Sequence, residues 1–381
     1  MILGDPLSCS TRVPYTTSLA AISNYPAGLP SRIQAEAFLS FNVIASTLQK
    51  LRIATAQVHT HDSPERALQV LETKVRKLSS EHVDLVLFPE VFIGGFPRLS
   101  TFGNSAIGSF GEEKDYSPYM NHWRASVDLG DTPRGAGQKW IHRELPLPAN
   151  RPYRGDGTRE RLKKIAAATG IFIIVGILER CGGTLYSSIV YICPRLGIIG
   201  KRRKVMPTGL ERVAWGQGSP LTLEAVSTII RGVKLRMAAA ICWENWMPLL
   251  RQSIYEQNIN LFLGPTAHAT EIWVPLMQTI GVESRAFVLS ATPCIRAIDL
   301  PKWITESAER GDQIVSRGGS VIVSPNGNLL GGPGWDQEDD IFIAEVDFAD
   351  CEQLGDDWVR PSRARRDAFE FTVDGLDMKK A

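Results

Sequence analysis

The run Leu235-Arg236-Met237-Ala238-Ala239-Ala240-Ile241 reads as a short buried strand, and it passes directly into Cys242-Trp243-Glu244-Asn245-Trp246-Met247-Pro248. From Pro248 to Tyr255 the apolar spacing is helical. This strand, turn and helix constrain the fold more than any other stretch, because a strand apolar on both faces belongs in a sheet covered by helices. The turn residue then stands at the sheet edge, where α/β enzymes place nucleophiles. The amino end of the following helix, with its positive partial charge, is expected close to the Cys242 sulfur, where it would lower the thiol pKa. Taken alone, a cysteine after an apolar strand is more often a small core hydrophobe. Its reading depends on the rest of the chain.

From Leu51 onward similar units repeat. Arg52 to Val58 reads as a strand; Ser63 caps a helix that has Pro64 in its first turn and Ala67, Leu68, Leu71, Val75 and Leu78 as an apolar stripe. Asp84 to Phe88 is a second apolar strand that stops at Pro89-Glu90. Thr158 to Thr169 predicts a helix closed by Gly170, followed by strands at Ile171 to Ile177, Ile259 to Leu263 and Phe287 to Ala291. Two hairpins stand apart from these units. Ser188 to Cys193 turns through Pro194-Arg195-Leu196-Gly197 into Ile198 to Lys201, and Ser320 to Ser324 turns through Pro325-Asn326-Gly327 into Asn328 to Leu330. One such hairpin in each half predicts pseudo-symmetric halves and two sheets covered by helices.

Lys plus Arg, 42 in number, balance Asp plus Glu, 41, so no overall field selects nucleic acid or an anionic membrane. A small molecule or a second copy of the chain is the expected partner. The six cysteines, Cys9, Cys181, Cys193, Cys242, Cys294 and Cys351, are widely spaced. That spacing suits neither a zinc knuckle nor a disulfide framework and points to a reducing, cytoplasmic setting. No apolar run approaches the ~20 residues of a membrane helix. Residues 1 to 50 are rich in Ser, Thr, Ala and Pro, and read as a dispensable extension, with a weak organelle-targeting segment, a disordered leader and an upstream start codon as the alternatives, and with Ala35 to Leu48 able to form a short helix. Residues 51 to 350 read as the main domain and 351 to 381 as a tail.

A nucleophilic thiol needs a base, and positive charge where negative charge develops. Glu90 ends its strand as Cys242 ends its own, so both are expected at one sheet edge. Lys204, with Glu211 seven residues on, follows the first hairpin. Each has a plainer reading. Glu90 could be a solvated strand end, Lys204 part of a wet basic cluster with Lys201, Arg202 and Arg203, and Glu211 half of a surface pair with Arg212.

Together with their neighbours these residues form three motifs in order. Phe88-Pro89-Glu90-Val91-Phe92-Ile93-Gly94-Gly95-Phe96-Pro97, then Arg203-Lys204-Val205-Met206-Pro207-Thr208 with Glu211-Arg212 and Trp215-Gly216-Gln217-Gly218, then Ile241-Cys242-Trp243-Glu244-Asn245-Trp246-Met247-Pro248 resemble the signatures of nitrilases, over roughly Leu51 to Phe348. The Cys-Trp-Glu-Asn form resembles the nitrilase branch proper, and the run from Phe92 to Gly103 is similar to plant and fungal members. The resemblance implies an α-β-β-α sandwich, self-association as a homodimer or larger spiral, and no metal or organic cofactor. It implies Glu90 as general base, Cys242 as nucleophile, Lys204 as the cation at the developing charge and Glu211 as the carboxylate that holds Lys204. The implied activity is hydrolysis of a small nitrile to acid and ammonia. Nitrile or cyanide hydration, amide hydrolysis and an idle scaffold are the alternatives.

Phe96, Leu210, Trp215, Trp243 and His268 are the candidates for substrate contact, with ordinary core packing as the alternative for Phe96 and Trp215. His268 and Thr270 stand where the resembling enzymes commonly have Asp and Arg. The family's His-Tyr-x-Arg-Pro-Asp segment is reduced here to Trp358-Val359-Arg360-Pro361. His59 and His61 have metal-ligand spacing but lack a third ligand in the sequence pattern.

Overall fold

The computed structural model describes residues 49–98, 117–301, 311–351 and 370–376. The expected helix at Ala35 to Leu48, the Ser100 to Gly103 stretch and the Trp358 to Pro361 segment lie outside them.

Among the described residues fourteen strands are present: β1 (Lys50–Gln57), β2 (Leu85–Leu87), β3 (Phe172–Cys181), β4 (Thr184–Cys193), β5 (Gly197–Arg203), β6 (Val226–Ile230), β7 (Val233–Ala239), β8 (Leu261–Pro265), β9 (Phe287–Ala291), β10 (Cys294–Arg296), β11 (Ile314–Arg317), β12 (Val321–Val323), β13 (Leu329–Gly331) and β14 (Asp340–Asp347). One six-stranded sheet has the order β14-β1-β2-β3-β4-β5, the other β13-β12-β9-β8-β7-β6, while β10 and β11 pair separately. In the first sheet β1, β2 and β3 are parallel, flanked by antiparallel β14 on one side and the β4–β5 hairpin on the other. The second sheet repeats that pattern, with β7, β8 and β9 parallel between antiparallel β6 and the β12–β13 hairpin. The two hairpins therefore occupy equivalent places, as their sequences predict.

Helices cover the outer faces. Helix α1 (Pro64–Ser80) has Ser63 as its cap, with the side chain accepting from the Arg66 N–H, and buries the predicted stripe. Then follow α2 (Ser117–Ala125), α3 (Gln138–Ile141), α4 (Thr158–Thr169), α5 (Glu211–Ala214), α6 (Pro248–Tyr255) and α7 (Trp273–Ser284). Helix α4 ends at Gly170 in the left-handed region, a conformation that favours glycine. Because side chains alternate along a strand, every central strand serves two cores. Leu51, Ile53, Phe172 and Ile174 meet Met237, Leu261 and Leu289 between the sheets. Ala54, Ile173 and Val175 face α1 and α4, and Phe262 and Val288 face α6 and α7. The chain is an α-β-β-α sandwich, and among the described residues no helix is long and apolar enough to cross a membrane.

Two expectations were short of the strands observed. β3 continues past Ile177 to Cys181, and β4 begins at Thr184 rather than Ser188. The polar residues that obscured this extension are paired inside: Glu179 is wholly buried and accepts from Ser188 and Arg203.

Candidate active site

Three parallel-strand ends and the end of a hairpin deliver the reactive groups to one edge. Glu90 follows β2, where Phe88 still bonds β3 through its N–H. Its segment lies so close to β3 that a Cβ on Gly176 would stand 2.2 Å from the Pro89 carbonyl oxygen and 2.7 Å from the Glu90 Cα. Only a residue without a side chain fits. Gly176→Ala is therefore expected to displace Glu90 and lower kcat/KM by about a hundredfold, since a shift of about 1 Å in a reacting group has that scale of effect, while a thermal melt still shows a folded protein. Wild-type kcat/KM in that variant would contradict the placement.

Cys242 follows β7 with a φ of +53°, a left-handed conformation uncommon for a residue with a side chain. Two buried neighbours hold it there. The Asn245 amide donates to the carbonyls of Ala240 and Cys242, at 2.7 and 2.8 Å. The Glu244 carboxylate accepts from the Ile241 N–H at 2.8 Å, and from Val205 and Met206 N–H groups at 2.7 and 3.3 Å, while pairing with Arg202. Glu244 thus ties the cysteine turn to the segment that carries Lys204.

The basic run at the end of the first hairpin is not a wet cluster. Lys201 and Arg203 pair with Glu179 and Asp131, and Arg202 pairs with Glu244. Lys204, 1% exposed, donates to Glu90 Oε1 at 2.9 Å and to both oxygens of Glu211 at 2.8 Å. Glu90 Oε1 also accepts from the Ser187 hydroxyl at 3.0 Å, and Oε2 from the Ala267 N–H at 3.1 Å. Glu211 Oε2 accepts from the Thr208 N–H. Ligand atoms of Glu90, Glu211 and Cys242 lie within 4.8 Å of one another. The cation among them is the chain's own ammonium. The four residues expected to meet do meet, and the surface readings of Glu90, Lys204 and Glu211 are excluded by their burial.

Electrostatics reverse one expectation. The Cys242 thiol is not lowered but pushed up to about 12, by burial and then by the Glu90 charge, against the pull of Lys204. A 3-10 turn (Cys242–Trp246) separates the sulfur from the start of α6 at Pro248, so the helix end does not govern the thiol. Burial works against the charged Lys204, but Glu90, the Cys242 sulfur and Glu211 together hold its pKa far above the usual lysine range. Burial and Glu90 push the Glu211 carboxyl up to about 7 against Lys204. The resting site therefore carries a thiol and a fixed ammonium.

Trp215 is buried, with Lys204 Nζ 5.9 Å from its ring centroid, and its indole N–H donates to the buried His122. Half-buried Phe96 packs edge-on against Trp215 at 5.6 Å. These two form an apolar wall with Val91, Leu178 and Leu185. Leu210 and Trp243 are exposed, at 38% and 57%. His268 is exposed just past β8, its imidazole kept below the usual range by partial burial and by Arg98. His59 and His61 stack edge-on. The sequence reading gave no role to Ser187, Thr266, Glu244 or His122, of which Glu244 alone lies inside a recognised motif.

Residues 52–356 match the family of carbon-nitrogen hydrolases, and the chain belongs to that family. Within it, the relatives include nitrilases and bifunctional nitrilase/nitrile hydratases. An arylacetonitrilase of Trametes versicolor is 35% identical over 87% of this chain and 98% of its own, and an aliphatic nitrilase of Sinorhizobium fredii 32% identical over 86% and 96%. Nitrilase 1 of Arabidopsis thaliana is 34% identical over 81% and 82%. Among solved structures, an amidase of Nesterenkonia sp. AN1 superimposes with a TM-score of 0.53 at 18% identity, covering 81% of this chain and all of that one, which supports the sandwich fold.

Proposed function

We propose that the protein is a nitrilase that converts a small organic nitrile into the carboxylic acid and ammonia through a covalent adduct on Cys242. The observation that carries the reading is the buried cluster in which Lys204 bonds Glu90 and Glu211 beside the Cys242 sulfur, in a chain whose relatives include nitrilases.

The geometry supports the following steps. Lys204 and Ser187 occupy Glu90 Oε1, which leaves Oε2 with acceptor capacity for the thiol proton. As that proton leaves sulfur, Sγ bonds the nitrile carbon and one carbon-nitrogen π bond opens. The nitrogen takes up the proton that Glu90 received from sulfur, giving a thioimidate and returning Glu90 to its carboxylate form. Lys204 supplies fixed positive charge for the nitrogen as it becomes negative, and preorganised electrostatic stabilisation of this kind contributes on the order of 3 kcal/mol to the barrier. Glu90 next takes a proton from water, whose oxygen bonds the same carbon. Ammonia leaves with the proton that Glu90 took from this water, and a second water, deprotonated in turn by Glu90, cleaves the thioester to acid and thiol. Expulsion of the thiol before ammonia would yield the amide instead. Glu211 positions Lys204 throughout, and no metal or organic cofactor enters a step.

Phe96 and Trp215 form the substrate wall in this reading, with Leu210, Trp243 and His268 at the mouth. Residues 51–350 constitute the catalytic domain, flanked by an extension and a tail. Self-association into a dimer or spiral is supported by the exposed Trp243 and Leu249, in and just after the cysteine turn, and a cytoplasmic setting by the buried free thiols Cys181, Cys193, Cys294 and Cys351.

Incubation with phenylacetonitrile, benzonitrile, an aliphatic dinitrile and cyanide, quantifying acid, amide and ammonia, tests the reading. Acid and ammonia in equal amounts are expected from at least one organic nitrile. Amide without ammonia would replace hydrolysis by hydration, and turnover of amides alone would overturn the proposal.

A further inference from the structure

Thr266 directly follows β8, wholly buried, its backbone fixed by a bond from its N–H to the Ala291 carbonyl at 2.9 Å. Its hydroxyl stands 3.1 Å from Cys242 Sγ and 3.0 Å from the His268 carbonyl oxygen. A hydroxyl carries one proton, so it serves one of these acceptors at a time. The other charges around the sulfur are Glu90, Glu211, Lys204 and, farther out, Arg98. Of these, Lys204 is the natural donor to a thiolate. Yet an ammonium has three protons, and Lys204 makes its three bonds to Glu90 Oε1 and the two oxygens of Glu211. Among the described residues, the hydrogen bond that reaches Sγ comes from Thr266.

We propose that Thr266 is the switchable donor to the Cys242 thiolate. With the thiol protonated, the hydroxyl donates to the His268 carbonyl. As the S–H bond breaks and its proton bonds Glu90, the hydroxyl turns to Sγ, and once sulfur is bonded to carbon it turns back. Lys204 thereby keeps both carboxylates in place while sulfur becomes anionic. Hydrogen bonds to charged groups are stronger than neutral ones, so the hydroxyl favours the ionised sulfur. The inference rests on the proposed function only for the role of Cys242 as nucleophile.

The test reads the thiol itself and needs no nitrile. Full-length protein is treated with iodoacetamide between about pH 6 and 10, and labelling of the Cys242 peptide is timed by mass spectrometry in wild type, Thr266→Val and Thr266→Ser. Thr266→Val, similar in shape but without the hydroxyl, is expected to label about tenfold more slowly along the rising limb, a displacement of about one pH unit. Thr266→Ser is expected to stay within about threefold of wild type, because it keeps the donor. Should Thr266→Val melt early, Thr266→Ala is compared in its place. A wild-type profile in the hydroxyl-free variant, equal displacement in Thr266→Val and Thr266→Ser, or a wild-type Cys242 that never labels would overturn the proposal. Loss of nitrile turnover with unchanged labelling would leave the proposed function in place and overturn the donor role of Thr266.

Discussion

Cys242→Ala is expected to lower nitrile turnover on the order of a million-fold, the scale at which removal of a covalent nucleophile acts, while the protein stays folded. The structural reason for the second half is local. Alanine keeps a Cβ at the strained φ of +53°, the Asn245 amide still holds the backbone carbonyls of residues 240 and 242, and Glu244 still ties the turn to the Lys204 segment. Removing one sulfur from a site 4% exposed costs roughly 1–2 kcal/mol. Cys242→Ser is expected to be similarly inactive. The cysteine thiol already stands at about 12 through burial and Glu90, and a hydroxyl, intrinsically less acidic, ionises less readily under the same burden. Full activity in either variant, measured as acid and ammonia release beside a thermal melt, would remove the covalent mechanism.

Lys204→Met is expected to have the second largest effect, and on two properties at once. Loss of the fixed cation lowers the rate by about a hundred- to a thousandfold. It also leaves Glu90 and Glu211 buried beside each other, and breaking a buried pair from one side costs about 3–5 kcal/mol. The sign of the pH dependence follows from Glu211. Its carboxyl is already raised in the folded protein by burial and Glu90, and without Lys204 it rises further. A carboxyl raised on folding binds a proton that the unfolded chain has released, so its contribution to stability is present at low pH and is lost as pH rises through the folded value. The stability deficit of Lys204→Met relative to wild type is therefore expected to be larger near pH 8 than near pH 5.5, as read from paired thermal melts. An equal deficit at both pH values would mean that packing of the lysine stem, and not charge, holds the site together.

Much of the architecture was legible because local chemistry and tertiary role agree. Ser63 and Pro64 start α1 and Gly170 ends α4 through interactions within a few residues. The β4–β5 and β12–β13 hairpins are bounded by turn residues, and their equivalent places in the two sheets follow from that shared pattern. Elsewhere the deciding contacts join distant segments. The end of β3 is polar and looks like a loop until Arg203 and Lys201 arrive to pair Glu179. The run Lys201 to Lys204 looks solvated because its partners, Asp131, Glu179, Glu244, Glu90 and Glu211, come from five other segments. Glu90, Lys204, Glu211 and Cys242 were recognisable as a set through their motifs. Ser187 and Thr266 were not, since a single hydroxyl in or after an apolar strand has many equivalents along the chain. The thiol pKa was misjudged for a related reason. A helix end is visible in sequence, whereas burial and the Glu90 charge opposite the sulfur are products of the sheet edge.

Acid-quenched mass analysis of the protein during turnover of phenylacetonitrile tests the central claim most directly, because it looks for the bond between Cys242 and the substrate carbon. The expected result is a mass increment equal to the imidoyl or acyl group, confined to the Cys242 peptide and absent from Cys242→Ala. Turnover to acid and ammonia that persists in Cys242→Ala, or an increment on another residue that forms and decays at the rate of turnover, would contradict it.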